Sequence, residues 1–303
     1  MSICVFGIFV ADLCFFSDNI PIKGQTILGK KHIIGPGGKG SNQAIAAARS
    51  GGKVSFITKL GKDNYSDLAI SLYKEAKINF DGIQFDPINS TGAAGIMINE
   101  KTGENAINVV PGAAGTIDKK MIDDCLPIIK KSKIFLTQLE TPKDATFYAL
   151  EKAKECGATT ILNPAPSSAF SKDFFKLIDF FTPNETEAEF YLNKKIETEK
   201  DIKIASEEFL KKGIKNIVIT LGEKGCYFAN DKENFFMNAF KLKEPVVDTT
   251  GAGDAFNGAL AVGLSKDLDI KEVLTFANKV GAISTTKQGA AASMPSMEDL
   301  NNY

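Results

Sequence analysis

The sequence predicts an α/β fold of three layers, with helices on both faces of a mostly parallel central sheet. Short β-rich apolar runs alternate with longer segments of helical period, which is the pattern of βαβ units. The chain also contains no internal repeat, linker or low-complexity tract that would divide it. We therefore expect one domain over residues 1–303, with a small antiparallel β lid.

The predicted elements follow from this alternation in chain order. The predicted strands are Ile3 to Val10, Val54 to Leu60, Ile134 to Leu139, Thr159 to Leu162, Phe180 to Thr182 and Ile217 to Leu221. The predicted helices lie near 41–50, 66–77, 118–131, 142–156, 185–192, 198–212, 254–264 and 270–286.

Two stretches, about 13–35 and 91–110, break the alternation because their β-prone residues lack crossover helices. They predict a small antiparallel sheet beside the main one. Such an appendage could cover a site, and its open edges favour a homodimer through the lid.

The composition excludes several classes of function. The chain of 303 residues has 36 Lys+Arg, 37 Asp+Glu and one histidine, His32, so a two-histidine metal centre is impossible. The near-zero net charge and the lack of a basic run argue against nucleic acid or anionic membrane as partners. Five scattered cysteines without C-x-x-C spacing, and a start that reads as a buried strand, favour a reducing, cytoplasmic location.

Polar residues or glycines follow most predicted strands. Ligands of an open α/β sheet bind outside the carboxyl ends of its strands, so these positions predict a polar crevice. They are Asp12, Glu140, Asn163, Asn184, Glu187 and Gly222, together with Asp254 after the segment Pro245-Val246-Val247.

The strongest motif is DTTGAGDAFNG at 248–258, which enters the helix predicted near 254–264. Its glycines, Gly251 and Gly253, allow backbone N–H groups to converge on an anion at the helix N-terminus. Asp254 is then a candidate base beside that anion hole. The alternative is a helix start with an acidic cap.

A second motif, GPGGKGSNQA at 35–44, fits neither a dinucleotide fingerprint nor a Walker loop. It begins about 25 residues beyond the first predicted strand, and Gly40 follows Lys39, where a Walker loop requires Ser or Thr. The remaining use is close backbone approach to a polyol, with Lys39 and Asn42 as donors and Ser41 capping the helix.

A third motif, TPNETEAE at 182–189, has two possible roles. An Asn followed by acidic residues is good helix-capping chemistry. Asn184 and Glu187, one turn apart, could also hold Mg²⁺ through its waters. The motif alone does not decide between them.

Taken together, the chain resembles the ribokinase-like (phosphofructokinase-B) sugar kinases from end to end. Besides the three motifs above, the matching segments are QLETP at 138–142, NPAP at 163–166, ITLGEKG at 219–225 and KQGAAASMP at 287–295. The resemblance implies transfer of the ATP γ-phosphoryl group to a sugar hydroxyl, O5 of D-ribose in the members most similar to this chain. Asp254 would be the base, and the backbone of Gly251, Ala252 and Gly253 would stabilise the charge on the transferred group.

The resemblance also implies the remaining site residues. The sugar would contact Asp12, Gly38, Lys39, Asn42 and Glu140, with neighbours Val10, Ala11, Gly40 and Ser41. The nucleotide would lie along Asn184, Thr220, Leu221, Gly222, Glu223, Lys224, Gly225, Gly253 and Asn278, with Mg²⁺ at Asn184 and Glu187. A K⁺ activator would be held by Asp248, Thr250, Ser284, Lys287, Gly289 and Ser293, several through backbone carbonyls.

One position departs from the family pattern. The family members that act on ribose typically have an asparagine two residues before the aspartate, where this chain has Val10. A valine cannot hydrogen-bond, so a sugar hydroxyl facing it would be poorly satisfied. Ribose is therefore the leading substrate and 2-deoxyribose its rival. Another sugar or a nucleoside, and a non-catalytic sugar-binding regulator, are further alternatives.

Overall fold

The computed structural model describes residues 2–303, which form two sheets flanked by helices. Its strands are β1 (Ser2–Phe6), β2 (Val10–Ser17), β3 (Lys31–Gly37), β4 (Lys53–Leu60), β5 (Asn79–Phe85), β6 (Thr91–Asn99), β7 (Asn105–Gly112), β8 (Ile134–Thr137), β9 (Thr159–Leu162), β10 (Phe180–Phe181), β11 (Asn216–Thr220), β12 (Cys226–Asn230) and β13 (Asn234–Met237). Its α-helices are α1 (Lys39–Arg49), α2 (Asn64–Glu75), α3 (Lys119–Asp124), α4 (Leu126–Lys130), α5 (Lys143–Glu155), α6 (Glu185–Leu192), α7 (Glu199–Lys211), α8 (Ala252–Ser265), α9 (Ile270–Ser284) and α10 (Met297–Asn301).

The central sheet is mostly parallel, as predicted. Across it the strands run β13-β12-β11-β10-β9-β8-β1-β4-β5, and all neighbours from β11 to β5 are parallel. Among the described strands of this sheet, only β12 runs in the opposite direction, because it forms hairpins with β11 and β13. The carboxyl ends of seven parallel strands therefore meet along one edge, where the predicted crevice lies.

Helices cover both faces of this sheet, which confirms the three-layer prediction. Strand β1 shows why: Cys4 and Phe6 point into one buried cluster, whereas Ile3 and Val5 point into the other. Helices α3 to α7 contribute to the first cluster, and α1, α2, α8, α9 and α10 to the second. A strand buried on both faces explains the continuous apolar runs of the sequence.

The second sheet, which we call the lid, is formed by β3, β2, β6 and β7 in that order. Its existence was predicted, but two details of the prediction were wrong. The lid begins at Val10 and its second strand ends at Gly37, so it is wider than 13–35. It is also mixed, because β2 and β6 are parallel. A long connection through β3, α1, β4, α2 and β5 separates these two strands along the chain, so β6 can return in the same direction as β2.

The predicted strand Ile3 to Val10 is divided between two sheets. The chain leaves the central sheet at Gly7, where a Cβ atom would lie 2.7 Å from the Gly40 Cα atom. The N-terminus of α1 therefore packs against the backbone at this point, and the strand cannot continue. An apolar run alone does not reveal such a contact.

Three further differences concern element boundaries. The helix predicted near 118–131 is two helices, α3 and α4, that meet at Cys125, because Pro127 lacks the N–H that would continue the ladder. Strand β5 and the hairpin of β12 and β13 were not predicted: Asp81 and Gln84 interrupt the apolar pattern of β5, and the apolar runs of β12 and β13 are only three or four residues long. Pro245-Val246-Val247 is not a strand.

The five cysteines of the described residues are all free thiols.

Candidate active site

The N-terminus of α8 is built to receive an anion. Gly251 precedes the helix with φ of +80°, and a Cβ atom there would lie 3.1 Å from the Cα of Ala290. Only glycine fits this conformation and this close approach without strain. Ala252 and Gly253 are the first residues of the helix, and their N–H groups lie at its positive end, where that of Ala252 donates to the Thr249 carbonyl at 3.2 Å.

Asp254 lies in the first turn of α8 and is 6% exposed. Its Oδ2 atom accepts a hydrogen bond from Asn42 Nδ2 at 3.0 Å, and its Oδ1 atom accepts one from Gln43 Nε2 at 2.9 Å. Burial raises the pKa of Asp254, while Lys39, Asn42 and Gln43 act in the opposite direction. The carboxylate is thus held in a fixed orientation, with oxygen lone pairs left for a proton.

Helix α1 brings the second motif to Asp254. Gly38 precedes it with φ of +88°, and the backbone N–H of Lys39 donates to Glu140 Oε2 at 2.8 Å. Although burial acts to lower the pKa of Lys39, the carboxylates of Asp254 and Glu140 hold it above its usual value. A lysine ammonium therefore lies among the carboxylates of the site.

Asn42 is the clearest sign that a ligand completes this site. Its Nδ2 donates to Asp254, but its Oδ1 is buried and has no hydrogen-bond partner within residues 2–303. A buried, unpaired acceptor is costly unless a donor such as a sugar hydroxyl reaches it.

The expectation that Ser41 caps α1 was wrong. Gly38 occupies the cap position and no side chain caps the helix. The Ser41 side chain is fully buried and accepts a hydrogen bond from Tyr73 Oη at 2.9 Å, so it ties α1 to α2.

Asp12 lies on the inner face of the lid. A Cβ atom on Gly37 would lie 2.3 Å from its carboxylate, so glycine makes room for this side chain. Burial raises the pKa of Asp12 to about 6 and that of Glu140 to about 7. Both groups are thus poised to change charge near neutral pH.

Val10 shares this face with Asp12, because residues two apart on a strand point the same way. Small residues flank both side chains on the neighbouring strands. Gly37 and Gly92 pair with Val10, whereas Gly35 and Ala94 pair with Asp12. Ala11 points to the opposite face and is buried. Small residues therefore flank one apolar and one charged side chain on this inner face.

Asn184 and Glu187 begin α6 as a reciprocal cap. Asn184 Oδ1 accepts from the Glu187 N–H at 2.8 Å, and Glu187 Oε2 accepts from the Asn184 N–H at 2.9 Å. The capping interpretation is thus confirmed. Burial raises the pKa of Glu187, which also interacts with Lys39 and Asp254, so this end of α6 adjoins the site.

The residues predicted for the nucleotide lie around the end of β11. Thr220 forms a bridge with Asn184 and is followed by buried Leu221 and a short helix over Gly222, Glu223 and Lys224. Gly225 has φ of +97°, and a Cβ atom there would lie 2.0 Å from Met237 O. Asn278 is buried and donates from Nδ2 to Cys226 Sγ at 3.5 Å.

Asp248 links two loops beside the anion hole. Its carboxylate accepts from the N–H groups of Thr250 and Gly289, both at 2.9 Å. Burial opposes these bonds, but they hold the pKa of Asp248 below its usual value. The Ser284 and Ser293 hydroxyls donate to carbonyls in their own turns, and Lys287 pairs with Asp299.

Sequence reasoning missed the residues behind Asp254. Gln138 donates to Gln43, Gln43 also contacts Asn163, and Thr182 donates to Asn257 at 2.6 Å. Asn163 had been noted as following a strand, without a role. The available signal was the pair of polar residues Asn42 and Gln43 in a helix whose following residues are mostly alanine.

The family model described as "pfkB family carbohydrate kinase" matches residues 1–297 of this chain. The chain belongs to the pfkB carbohydrate kinase family. It is 39% identical to the ribokinase of Staphylococcus aureus (strain COL) over 266 residues, which cover 88% of this chain and 86% of that protein. It is 34% identical to the deoxyribokinase of Salmonella typhi over 304 residues, which cover 100% of this chain and 98% of that protein.

A solved structure of the Arabidopsis thaliana ribokinase, complexed with ribose and ATP, matches with a TM-score of 0.94. That chain is 29% identical, and the match covers 99% of this chain and 97% of that one. This pfkB family member is thus a ribokinase-like carbohydrate kinase. Among residues 2–303, no helix is both long and apolar enough to cross a membrane.

Proposed function

We propose that the protein transfers the γ-phosphoryl group of ATP to O5 of D-ribose. One observation carries the proposal: Asp254, a buried carboxylate at the N-terminus of α8, lies beside the unpaired Oδ1 of Asn42. Phosphorylation of a hydroxyl needs a base next to an anion hole. A buried acceptor without a partner can in addition bind a hydroxyl of the sugar. The ribokinases among the relatives, one of them solved with ribose and ATP, support the choice of sugar and nucleotide.

In the proposed reaction, Asp254 accepts the proton of the sugar hydroxyl. The sugar oxygen forms a bond to the γ-phosphorus, and the bond from that phosphorus to the β–γ bridging oxygen breaks. The products are ribose 5-phosphate and ADP, with the proton on Asp254. Backbone N–H groups of Gly251, Ala252 and Gly253 stabilise the negative charge on the transferred group.

The sugar is proposed to lie between the inner face of the lid and the N-terminus of α1. Asp12 accepts hydrogen bonds from two hydroxyls, and Lys39, Asn42 and Glu140 contact others. The backbone at Gly38 and Gly40 supplies close approach, because no side chain stands there. Ala11 and Ser41 shape the wall from behind, since both side chains are buried away from the crevice.

The raised pKa values of Asp12 and Glu140, about 6 and about 7, predict a pH dependence of sugar binding. Each folded-state pKa lies above its unfolded value, so burial of these carboxyls lowers stability increasingly as the pH rises from about 4 to about 7. Hydrogen bonds from sugar hydroxyls favour the charged forms and offset this loss. We expect the ribose-induced increase in Tm to be larger at pH 8 than at pH 5.5. An increase that does not depend on pH would contradict this assignment.

Substrate choice between ribose and 2-deoxyribose is proposed to depend on Val10. Its side chain is buried beside Asp12 and offers no hydrogen bond, so a hydroxyl facing it gains nothing. We expect Val10→Asn to raise the ratio of kcat/KM for ribose to that for 2-deoxyribose by about 10-fold, the effect of one net hydrogen bond. Ile204→Asn, at an exposed position on α7, is the control. An unchanged ratio in Val10→Asn would place the discriminating group elsewhere.

Because this chain is also 34% identical to a deoxyribokinase, 2-deoxyribose is the second candidate substrate. The specific observation in its favour is the apolar Val10 on the inner face. Comparing the two pentoses in one assay decides between them.

The donor sets fit the ions that the family resemblance implies. Asn184 and Glu187 supply an amide and a carboxylate oxygen, suited to Mg²⁺ held through water. Mg²⁺ would supply charge neutralisation to the ATP phosphates, along which Thr220 to Gly225 and Asn278 are proposed to lie. Asp248 and the carbonyls near Gly289 are hard oxygen ligands that suit K⁺. Equal activity in K⁺ and in tetramethylammonium would contradict the K⁺ assignment.

We also propose that the protein forms a homodimer through the lid. Large apolar side chains are exposed on the lid strands, including Ile33, Ile107 and Val109. A second copy of the chain would cover them. Light scattering that gives the mass of a single chain would contradict this proposal.

A further inference from the structure

Three side-chain amides form a buried cluster behind Asp254. Gln138 Nε2 donates to Gln43 Oε1 at 2.6 Å, and Gln43 Nε2 donates both to Asp254 Oδ1 at 2.9 Å and to Asn163 Oδ1 at 3.0 Å. Gln43 is fully buried, and Gln138 is 1% exposed. The cluster connects α1, α8 and the ends of β8 and β9.

The polarity of this cluster is fixed from two sides. Asn163 Nδ2 donates to the Thr182 carbonyl at 3.1 Å, so its Oδ1 must face Gln43. On the other side, the Asp254 carboxylate can only accept. Asn163 and Asp254 therefore require that Gln43 direct its Nε2, and not its Oε1, toward them, and Gln138, whose own Oε1 is buried without a partner among residues 2–303, donates to the Gln43 Oε1.

We propose that Gln43 is a positioning residue for the phosphoryl transfer, holding Oδ1 of Asp254 through an amide that Asn163 orients and to which Gln138 donates. The inference rests on the proposed role of Asp254 as base. An amide N–H donates but cannot take the proton from the reacting hydroxyl, so Gln43 stabilises the ionised carboxylate without competing for that proton. With Asn42 on Oδ2, the carboxylate cannot rotate.

If Gln43 only stabilised the fold, any other buried hydrogen bond on α1 could serve the same purpose. The bond from Tyr73 Oη to Ser41 Oγ is such a bond, since it ties α1 to α2 without touching Asp254. The two roles differ in one respect: only the amide of Gln43 acts on the charge of Asp254. The other ionisable groups around Asp254 are Lys39, Glu140 and Glu187, and all of them remain in the variants below.

The test is the pH profile of kcat, measured on whichever sugar the wild type phosphorylates. Gln43→Met removes the amide at nearly constant volume. We expect kcat to fall about 10- to 100-fold, the effect of one hydrogen bond to a charged group. The KM for the sugar should change little, and the acid limb of the profile should move to higher pH.

Gln138→Met provides an independent variant that never contacts Asp254. It removes the donor to Gln43 Oε1 without adding a charge, so the Gln43 amide loses one of its partners. We expect a smaller fall in kcat and a shift of the acid limb in the same direction. If Gln43→Met does not fold, this variant decides alone.

Tyr73→Phe is the matched control, and it should keep both kcat and the acid limb of the wild type while losing some thermal stability. A folded Gln43→Met or Gln138→Met with the wild-type acid limb would overturn the proposal, as would the same shift in Tyr73→Phe. Failure of the proposed function is a separate result, since it appears as a wild type inactive on both pentoses but active on another sugar.

Discussion

Asp254→Asn is expected to lower kcat by about 10²- to 10⁴-fold, the usual contribution of a general base. The asparagine keeps the shape of the side chain but cannot accept the hydroxyl proton. It also turns one oxygen into an NH₂ group that opposes the amide donors of Asn42 and Gln43. Because the base acts mainly in the transition state, the affinity for the sugar should change much less than kcat.

The measurement for this variant is steady-state turnover together with the sugar-induced increase in Tm. Asp267→Asn is the control, since Asp267 follows the far end of α8 and pairs there with Lys133. An Asp254→Asn protein that retains turnover within a few-fold of wild type would remove Asp254 as the base. Loss of sugar binding with unchanged kcat would reassign it to substrate recognition.

Gly37→Ala is the second large effect expected. The added methyl group would lie 2.3 Å from the carboxylate of Asp12, so that side chain must leave its place on the inner face of the lid. Two hydrogen bonds from sugar hydroxyls to a charged group would then be lost. At about 1.5–3 kcal/mol each, their loss predicts a fall in kcat/KM of about 100-fold or more.

Gly95→Ala is a matched control for this substitution. Gly95 is also a lid glycine, but it pairs with Leu13 and so lies on the opposite face, where an added Cβ meets nothing within 4 Å. It should retain the wild-type kcat/KM. If Gly37→Ala binds sugar as tightly as Gly95→Ala does, Asp12 does not hold the sugar.

The layers of the fold could be predicted because periodicity reports burial. Strands β4, β8 and β9 are short apolar runs buried on both faces, and the helices between them keep a helical period. The end of β1 at Gly7 could not be predicted, because it results from the packing of α1 against distant backbone. The parallel pairing of β2 with β6 is likewise a long-range contact that local pattern does not encode.

The residues of the candidate site also divide into those that a local motif reveals and those that only a long-range contact reveals. Asp254, Gly251 and Asn42 were found because glycines and polar residues stand together in motifs. The amide cluster of Gln43, Gln138 and Asn163 was not recognised, since its three members lie far apart in sequence and each is unremarkable alone. Asn184 illustrates a remaining ambiguity of pattern, because a helix cap and an ion ligand require the same side chain.

The most direct test of the whole account is release of ADP in a coupled assay with ATP, Mg²⁺ and K⁺. The phosphoryl acceptors to compare are ribose, 2-deoxyribose, fructose, adenosine and fructose 6-phosphate. The account predicts turnover of a pentose, with ribose 5-phosphate or its 2-deoxy counterpart as product and the highest kcat/KM of the panel. Turnover of fructose, adenosine or fructose 6-phosphate with neither pentose phosphorylated would contradict it.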